Sequence, residues 1–282
     1  MSVRGSDLHG RVVGITGGAR GIGFATATAL HALGAKVAIG DIDELAVKTA
    51  ATAAGLDFYG RLDVTDLASF AAFLDDVETH LGPLEVLVNN AGIMPIGRIV
   101  DEPDEVTRRI LDINVYGVII GSKLAAQRML PRRRGHVINV ASLAAENATP
   151  GLATYSASKH AVLGFTDSVR IEHRGSGVHF STLLPTFTNT ELVAGTSGPK
   201  GFTNAEPEDI AAGIVALIAK PKRRVTVTRA AGLLSGVMNL LPSPATEFIA
   251  RTVGMEDVFL SDVDTTSRKA YEDRARGIAD HS

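Results

Sequence analysis

The chain has 282 residues, of which 45% are hydrophobic and 21% charged, with a net charge of −3 and no cysteine. Such a balance suits a globular protein with a substantial core, gives no electrostatic case for a nucleic-acid partner, and excludes disulfides and cysteine-ligated metal sites. Met1 to Arg11 is polar, with Arg4, Asp7 and His9 where a signal peptide would be apolar, and no apolar run reaches the ~18–20 residues of a transmembrane segment, so a cytoplasmic location is expected.

In chain order, short β-branched runs alternate with helical patterns. Val12 to Thr16 reads as a first strand and Ile22 to Leu33 as an Ala-rich helix after it. Lys36 to Ile39 and Glu44 to Ala54 repeat the pair, followed by a strand over Phe58 to Leu62 and a helix capped by Asp66 that runs to about His80. Val86 to Val88 is a fourth strand, and a long helix is predicted from about Asp104 to Met129. His136 to Val140 and Leu152 to His173 form the next pair, then Val178 to Leu184 and Glu208 to Ala219, with Val225 to Val227 as a last strand. Near-continuous apolar strands of this kind are covered on both faces by crossover helices, so the pattern predicts a doubly wound α/β domain around a parallel sheet. No repeat or Gly/Ser linker divides the chain, and one domain over 1–282 is expected, its core at about 8–228. Beyond Arg229 lies a C-terminal extension, about 229–282. Its stretch 231–241 is apolar, Pro242 and Pro244 break it, Glu247 to Val253 is a short amphipathic stretch, and the charged residues from Asp262 onward are expected to fray at their end.

Chemistry enters after the first strand, in Thr16-Gly17-Gly18-Ala19-Arg20-Gly21-Ile22-Gly23. Gly17 permits a tight turn, while Gly21 and Gly23 let a pyrophosphate approach the amides of a helix N-terminus. Strand before and helix after are the context that a dinucleotide loop requires. Asp41 closes the second strand, where a carboxylate accepts hydrogen bonds from a ribose and repels a 2′-phosphate, favouring NAD over NADP. Arg20 points the other way, since a guanidinium in the loop could pair with that phosphate; no second cation stands at the strand end, and NAD is the preferred reading, with NADP the alternative.

Tyr155 and Lys159 stand four residues apart in a helical pattern, so both groups share one face. A phenol ionises near pH ~10. A neighbouring ammonium and the positive end of the helix dipole are expected to lower that pKa, giving a proton-transfer device.

These motifs, in this order, resemble the short-chain dehydrogenase/reductase family over about residues 8–228. The resemblance implies a three-layer doubly wound Rossmann fold with a seven-stranded parallel sheet, and an NAD(P)-dependent oxidoreductase acting on alcohol or carbonyl groups. It assigns Gly17, Gly21 and Gly23, with Arg20 and Ile22 among them, to the cofactor loop; Asp63 and Val64 to the adenine; and Asn90, Ala91 and Gly92, within Asn89-Asn90-Ala91-Gly92, to support of the sheet and adenine pocket. Asn114, Ser142, Tyr155 and Lys159 match the catalytic tetrad. There Tyr155 is the general acid/base, Ser142 holds the reacting oxygen, Lys159 tunes the phenol and contacts the cofactor with it, and Asn114 holds a water on the proton path. Pro185, Thr188 and Thr190 fall beside the nicotinamide. The family's usual Pro-Gly there is Pro185-Thr186 in this chain, so the loop is expected to run differently, because β-branched residues tolerate positive φ poorly. Members of the family usually pair two long helices, here about 104–129 and 152–173, which implies a homodimer or homotetramer.

The substrate is left open. The apolar 231–241 stretch is a candidate lid over a lipophilic pocket with Met94, Ile96, Leu143, Phe187 and Leu192, suiting a steroid-like, retinoid-like or acyl-chain substrate; plain packing explains it equally well. The alternatives are an NADPH-dependent 3-oxoacyl-thioester reductase and, from another class, a non-catalytic dinucleotide sensor or scaffold. Arg132 to Arg134 reads as a solvated turn, and the eight histidines show no paired ligand spacing, so no metal is expected.

Overall fold

In the computed structural model, which describes residues 8–196, 198, 203–228, 232, 246, 252, 257–261 and 263–277, seven parallel strands form one sheet. They are β1 (Val12–Thr16), β2 (Lys36–Asp41), β3 (Phe58–Arg61), β4 (Val86–Asn89), β5 (Gly135–Val140), β6 (Val178–Pro185) and β7 (Arg224–Val227), in the order β3-β2-β1-β4-β5-β6-β7. The chain runs outward from β1 to one edge, returns, and runs outward from β4 to the other edge. At that reversal the connections leave the sheet in opposite directions and open a crevice at the carboxyl ends of β1 and β4.

The residue alternation in the strands explains the layers. Val13, Ile15, Val37, Ile39, Val86, Val88 and Ile138 point to one face, where they meet α1 (Gly21–Ala32), α2 (Glu44–Ala54) and α7 (Pro207–Ala219) through Leu30, Val47, Ile210, Ile214 and Ile218. Their neighbours Val12, Ala38, Leu87 and Val137 point to the other, onto Phe70, Phe73, Leu74 and Val77 of α3 (Leu67–Leu81) and Ile120, Leu124 and Met129 of α5 (Gly117–Met129). Both sides of each strand being apolar, the sheet needs cover on both faces. Local chemistry sets the helix ends: Asp43 accepts from Ala46 N at 2.9 Å, Asp66 from Ala68 N at 2.9 Å, and Gly55 closes α2 at φ 63°.

One expectation is corrected, and one region carries a helix that the sequence pattern did not predict. The helix expected from Asp104 to Met129 is interrupted: α4 (Asp104–Leu111) passes through a π-helical turn, Asp112–Tyr116, before α5. The extra residue in that turn carries Asn114, whose amide is engaged by the backbone of Ile93. The charged stretch after Asp262 contains a docked helix, α6 (Ala153–Glu172) having preceded it on the body: α8 (Thr265–Arg276) is capped by Asp264, which accepts from Thr266 N at 2.9 Å, and ends at Gly277 with φ 77°. Its charges pair along the helix, Arg268 and Arg276 each with Glu272 at 2.8 Å, so they extend rather than solvate it. The apolar stretch 231–241, apart from Gly232, and the amphipathic stretch 247–253, apart from Thr252, lie outside the described residues. Among the described residues no helix is long and apolar enough to cross a membrane, and no group of three or more His, Asp or Glu could hold a metal.

One buried group makes the fold acid-sensitive. His136 on β5 is 3% exposed, and its Nε2 lies 2.8 Å from Ser181 Oγ, which itself donates to Lys222 O. Ser181 has one proton, so His136 is the donor in their bond and is neutral with Nε2 protonated. Burial, then His179 and Arg11, push its pKa down to about 3. An unfolded histidine takes up a proton near pH ~6.5, so stability is present above that value and is lost as pH falls toward 3, by up to ~1.4 kcal/mol per pH unit. Urea unfolding at pH 7.5 and 5.0 checks this: His136→Asn should flatten the difference, and an unchanged pH slope in the variant would remove His136 from the account.

Candidate active site

The crevice is one continuous cavity of about 2080 Å³, lined by loops from the carboxyl ends of the strands and by α8. Gly17, Arg20, Gly21, Ile22, Asp41, Asp63, Val64, Asn90, Ala91, Gly92, Ser142, Tyr155, Lys159, Pro185, Thr188 and Thr190 all line it; Gly23 and Asn114 do not.

At one end is the glycine loop. Gly17 has φ 63°, and a Cβ there would lie 2.8 Å from Ala91 Cα. A Cβ on Gly23 would lie 2.2 Å from Gly17 O, so glycine there lets α1 close against its own loop. Asn90 Nδ2 donates to Thr16 O and Gly17 O, both at 3.0 Å, while Thr16 Oγ1 accepts from Asn90 N and Ala91 N at 3.0 Å. This cross-bracing holds the two loops on either side of the switch point, and Thr16 is a member that the sequence reading passed over. The first turn of α1 carries no acidic side chain and Arg20 gives it no cap, so its amides present partial positive charge to the crevice. An anion such as a pyrophosphate fits this cradle.

Asp41 stands beside it and accepts from Ala19 N and Asp43 N, both at 3.2 Å; burial raises its pKa and those two amides oppose the rise. Arg20 is paired with Asp43 at 2.7 Å. A 2′-phosphate here would face two carboxylates and a guanidinium already engaged, whereas ribose hydroxyls can donate to Asp41. Farther along the rim, Asp63 Oδ1 accepts from Thr65 N at 2.9 Å and Thr65 Oγ1 at 2.7 Å, which shapes the turn after β3, and Val64 packs against Gly117.

In the middle, β5 delivers Ser142 and α6 delivers Tyr155 and Lys159. Ser142 caps the short helical turn Leu143–Ala145 by accepting from Ala144 N at 3.1 Å, and its hydroxyl lies near enough to the Tyr155 phenol to favour its ionisation. Lys159 Nζ donates to Val140 O at 3.1 Å and lies 5.6 Å from the Tyr155 ring centroid. Tyr155 is 6% exposed and Lys159 4%. Burial pushes Tyr155 up to about 12, with Ser142 opposing the rise, and burial pushes Lys159 down to about 8, a direction for the phenol opposite to that expected from the ammonium alone. Desolvation disfavours both charged forms and outweighs the ammonium one helical turn away. Asn114 sits behind this set. Its Oδ1 accepts from Ile93 N at 2.8 Å and its Nδ2 donates to Ile93 O at 2.9 Å and Ser158 Oγ at 3.1 Å, so the side chain holds the β4 loop.

The loop after β6 does not need a glycine at Thr186, which donates to Val227 O at 2.9 Å and is not among the residues with positive φ. Thr188 Oγ1 turns back to Thr186 O at 2.8 Å, and Thr190 packs on Gly21.

At the far end the wall is apolar. Met94, Ala144, Leu152, Val258 and Phe259 cluster with Tyr155, joined by Ile96, Phe187, Leu192 and Val193. Four of the five pocket residues expected from the sequence are in this cluster, and Leu143 lines the same cavity. The cover that the structure does describe comes from Val258, Phe259 and α8, which the sequence reading missed. The α8 side chains satisfy the backbone of the β4 loop as a neighbouring strand would: Met94 N donates to Tyr271 Oη at 2.8 Å, Arg268 Nη2 to Met94 O at 2.6 Å, Ile96 N to Glu272 Oε1 at 3.3 Å, and Arg276 Nη2 to Ile96 O at 3.0 Å. Arg268 Nη1 also reaches Leu192 O at 2.7 Å, tying together two walls of the pocket. The signal available in the sequence was the spacing of Arg268, Tyr271 and Ala275, one helical face, between an Asp cap and a Gly stop.

Comparisons with known proteins agree with this geometry. The chain is 35% identical over 255 residues to the probable oxidoreductase EphD of Mycobacterium tuberculosis, covering 82% of this chain but 43% of that longer relative. It is 38% identical over 215 residues to the 3-alpha-(or 20-beta)-hydroxysteroid dehydrogenase of the same organism, covering 76% of this chain and 79% of the relative. A short chain dehydrogenase/reductase from Burkholderia phymatum, solved in complex with NAD, superposes with a TM-score of 0.75 at 25% identity, over 82% of this chain and 94% of that one. The model for short chain dehydrogenase matches residues 11–200, which takes in the glycine loop, Ser142, Tyr155 and Lys159, and the chain therefore belongs to the short-chain dehydrogenase family.

Proposed function

We propose that this protein moves a hydride between NAD(H) and a lipophilic secondary alcohol or its ketone. The observation that carries the reading is the Ser142–Tyr155 hydroxyl pair, set between an anion-accepting glycine loop with Asp41 and an apolar wall. When bound, the nicotinamide supplies the hydride chemistry and, oxidised, a positive charge. The α1 amides and Asp41 would hold the dinucleotide, with Thr188, Thr190 and Pro185 beside its nicotinamide end. Ser142 and Tyr155 hydrogen-bond the substrate oxygen and fix the orientation of its carbon. In ketone reduction the neutral Tyr155 gives its proton to that oxygen; in alcohol oxidation it must receive one. With its pKa up at about 12, Tyr155 stands ready as the acid across neutral pH, and oxidation gains as pH rises. The relative acting on hydroxysteroids and the apolar residues around Met94 and Phe259 support a fused-ring or similarly bulky substrate.

The test is turnover of a panel of bulky secondary alcohols, followed by formation of reduced nicotinamide. NAD should exceed NADP in kcat/KM by ~10-fold or more, and Asp41→Ala should shift that ratio toward NADP by ~10–100-fold, the scale of a hydrogen bond to a charged group. Absence of turnover with either nucleotide across the panel would sink the proposed function, and a strong NADP preference of the wild type would sink the part given to Asp41.

A further inference from the structure

Tyr271 is a polar group inside the apolar end of the cavity. It is 8% exposed, lines the same cavity as Tyr155, and lies close enough to it that Tyr155 disfavours its ionisation. Its ring is held from behind by the Arg268 guanidinium, 5.0 Å from the ring centroid. Its oxygen accepts from Met94 N, while among the described residues no hydrogen bond accounts for its proton. A phenol has one proton to donate, and leaving it unpaired in an apolar site costs about 1–3 kcal/mol. The proton remains on it at any physiological pH, because burial raises the pKa of Tyr271 above that of an ordinary phenol.

We infer that Tyr271 is a specificity-determining residue: its hydroxyl donates a hydrogen bond to a second oxygen of the substrate, distinct from the oxygen held by Ser142 and Tyr155. The substrate class is thus a bulky, mostly apolar alcohol or ketone bearing a further carbonyl, hydroxyl or ether oxygen on the same skeleton. This rests on the proposed function for the reacting oxygen, but the second contact is a matter of binding and is separable from turnover. Discrimination of this kind is strong when a site is built around a hydrogen bond, because the substrate lacking the acceptor leaves the donor unpaired.

The experiment compares a fused-ring diketone with the monoketone of the same skeleton, on wild type and Tyr271→Phe, by steady-state kinetics and by calorimetric binding to the protein with NADH present. Wild type should favour the diketone, and Tyr271→Phe should lower the diketone/monoketone ratio of kcat/KM by ~10–100-fold, carried by KM with kcat held within ~3-fold. The ratio cancels any loss of folded enzyme, and weaker docking of α8 would weaken both ketones alike. Equal losses on both ketones, or no loss on either, would overturn the inference. Were neither ketone reduced while diketone binding still weakened in Tyr271→Phe, the donor role would stand and the proposed hydride transfer would be what failed.

Discussion

Tyr155→Phe should lower kcat by ~10²–10⁴-fold while leaving the affinity for NAD within ~3-fold, because general acid–base catalysis contributes on that scale and the nucleotide end of the cavity is built from other residues. The substitution removes one oxygen. It leaves the ring in its cluster with Met94, Leu152 and Phe259. Ser142 keeps its backbone partner Ala144 N, so the turn that presents it should persist. The result separates an enzyme from a protein that merely binds dinucleotides, since binding alone has no use for the phenol. Turnover within ~3-fold of wild type would show that Tyr155 is not the proton donor and would return the sensor reading to the front.

Arg268→Ala should raise KM for a lipophilic substrate by ~10²-fold or more and leave nucleotide affinity unchanged. The guanidinium is 2% exposed and donates to Met94 O, Leu192 O, Ala194 O and Glu272, so truncation leaves three carbonyls and part of a carboxylate without their donor. Breaking a buried ionic pair in this way costs about 3–5 kcal/mol. That cost falls on the docking of α8 and on the walls at Met94 and Leu192, not on the sheet, whose strands make no contact with Arg268 among these bonds. Hydrogen exchange should therefore quicken at the Met94 and Ile96 amides while β1, β4 and β5 stay protected. Arg268→Lys should not rescue, because one ammonium cannot reach carbonyls on two walls as a planar fork does. A variant with wild-type KM and unchanged exchange at Met94 would show that α8 is not a wall of the pocket.

What could be read from the sequence was what depends on neighbours in the chain. The bounds of α2 follow from Asp43 and Gly55, the start of α3 from Asp66, and the strands from apolar runs that both faces of the sheet bury. Ser142, Tyr155 and Lys159 were locatable because their order along strands and helices brings them to one end of the sheet. The π turn was hidden, since it answers to Ile93, 21 residues before Asn114. The burial that raises the Tyr155 pKa was hidden for a related reason: i,i+4 spacing reports the ammonium, whereas burial is a property of the packed site. Arg20 was ambiguous until Asp43 was seen beside it. Helix α8 gives a weak helical signal because half of its residues are charged, and its buried face is only Arg268, Tyr271 and Ala275.

The side chains of α8 that stand in for a strand beside Met94 and Ile96 join residues 174–180 positions apart in the chain. Every strand of the sheet is synthesised before Thr265, so the sheet and glycine loop can form while the β4 loop still lacks its partner. Contacts of such separation form late in refolding as well. Nucleotide binding should consequently be acquired before the ability to hold a substrate, and a chain stalled during synthesis short of α8 would be a dinucleotide binder with an open-walled pocket.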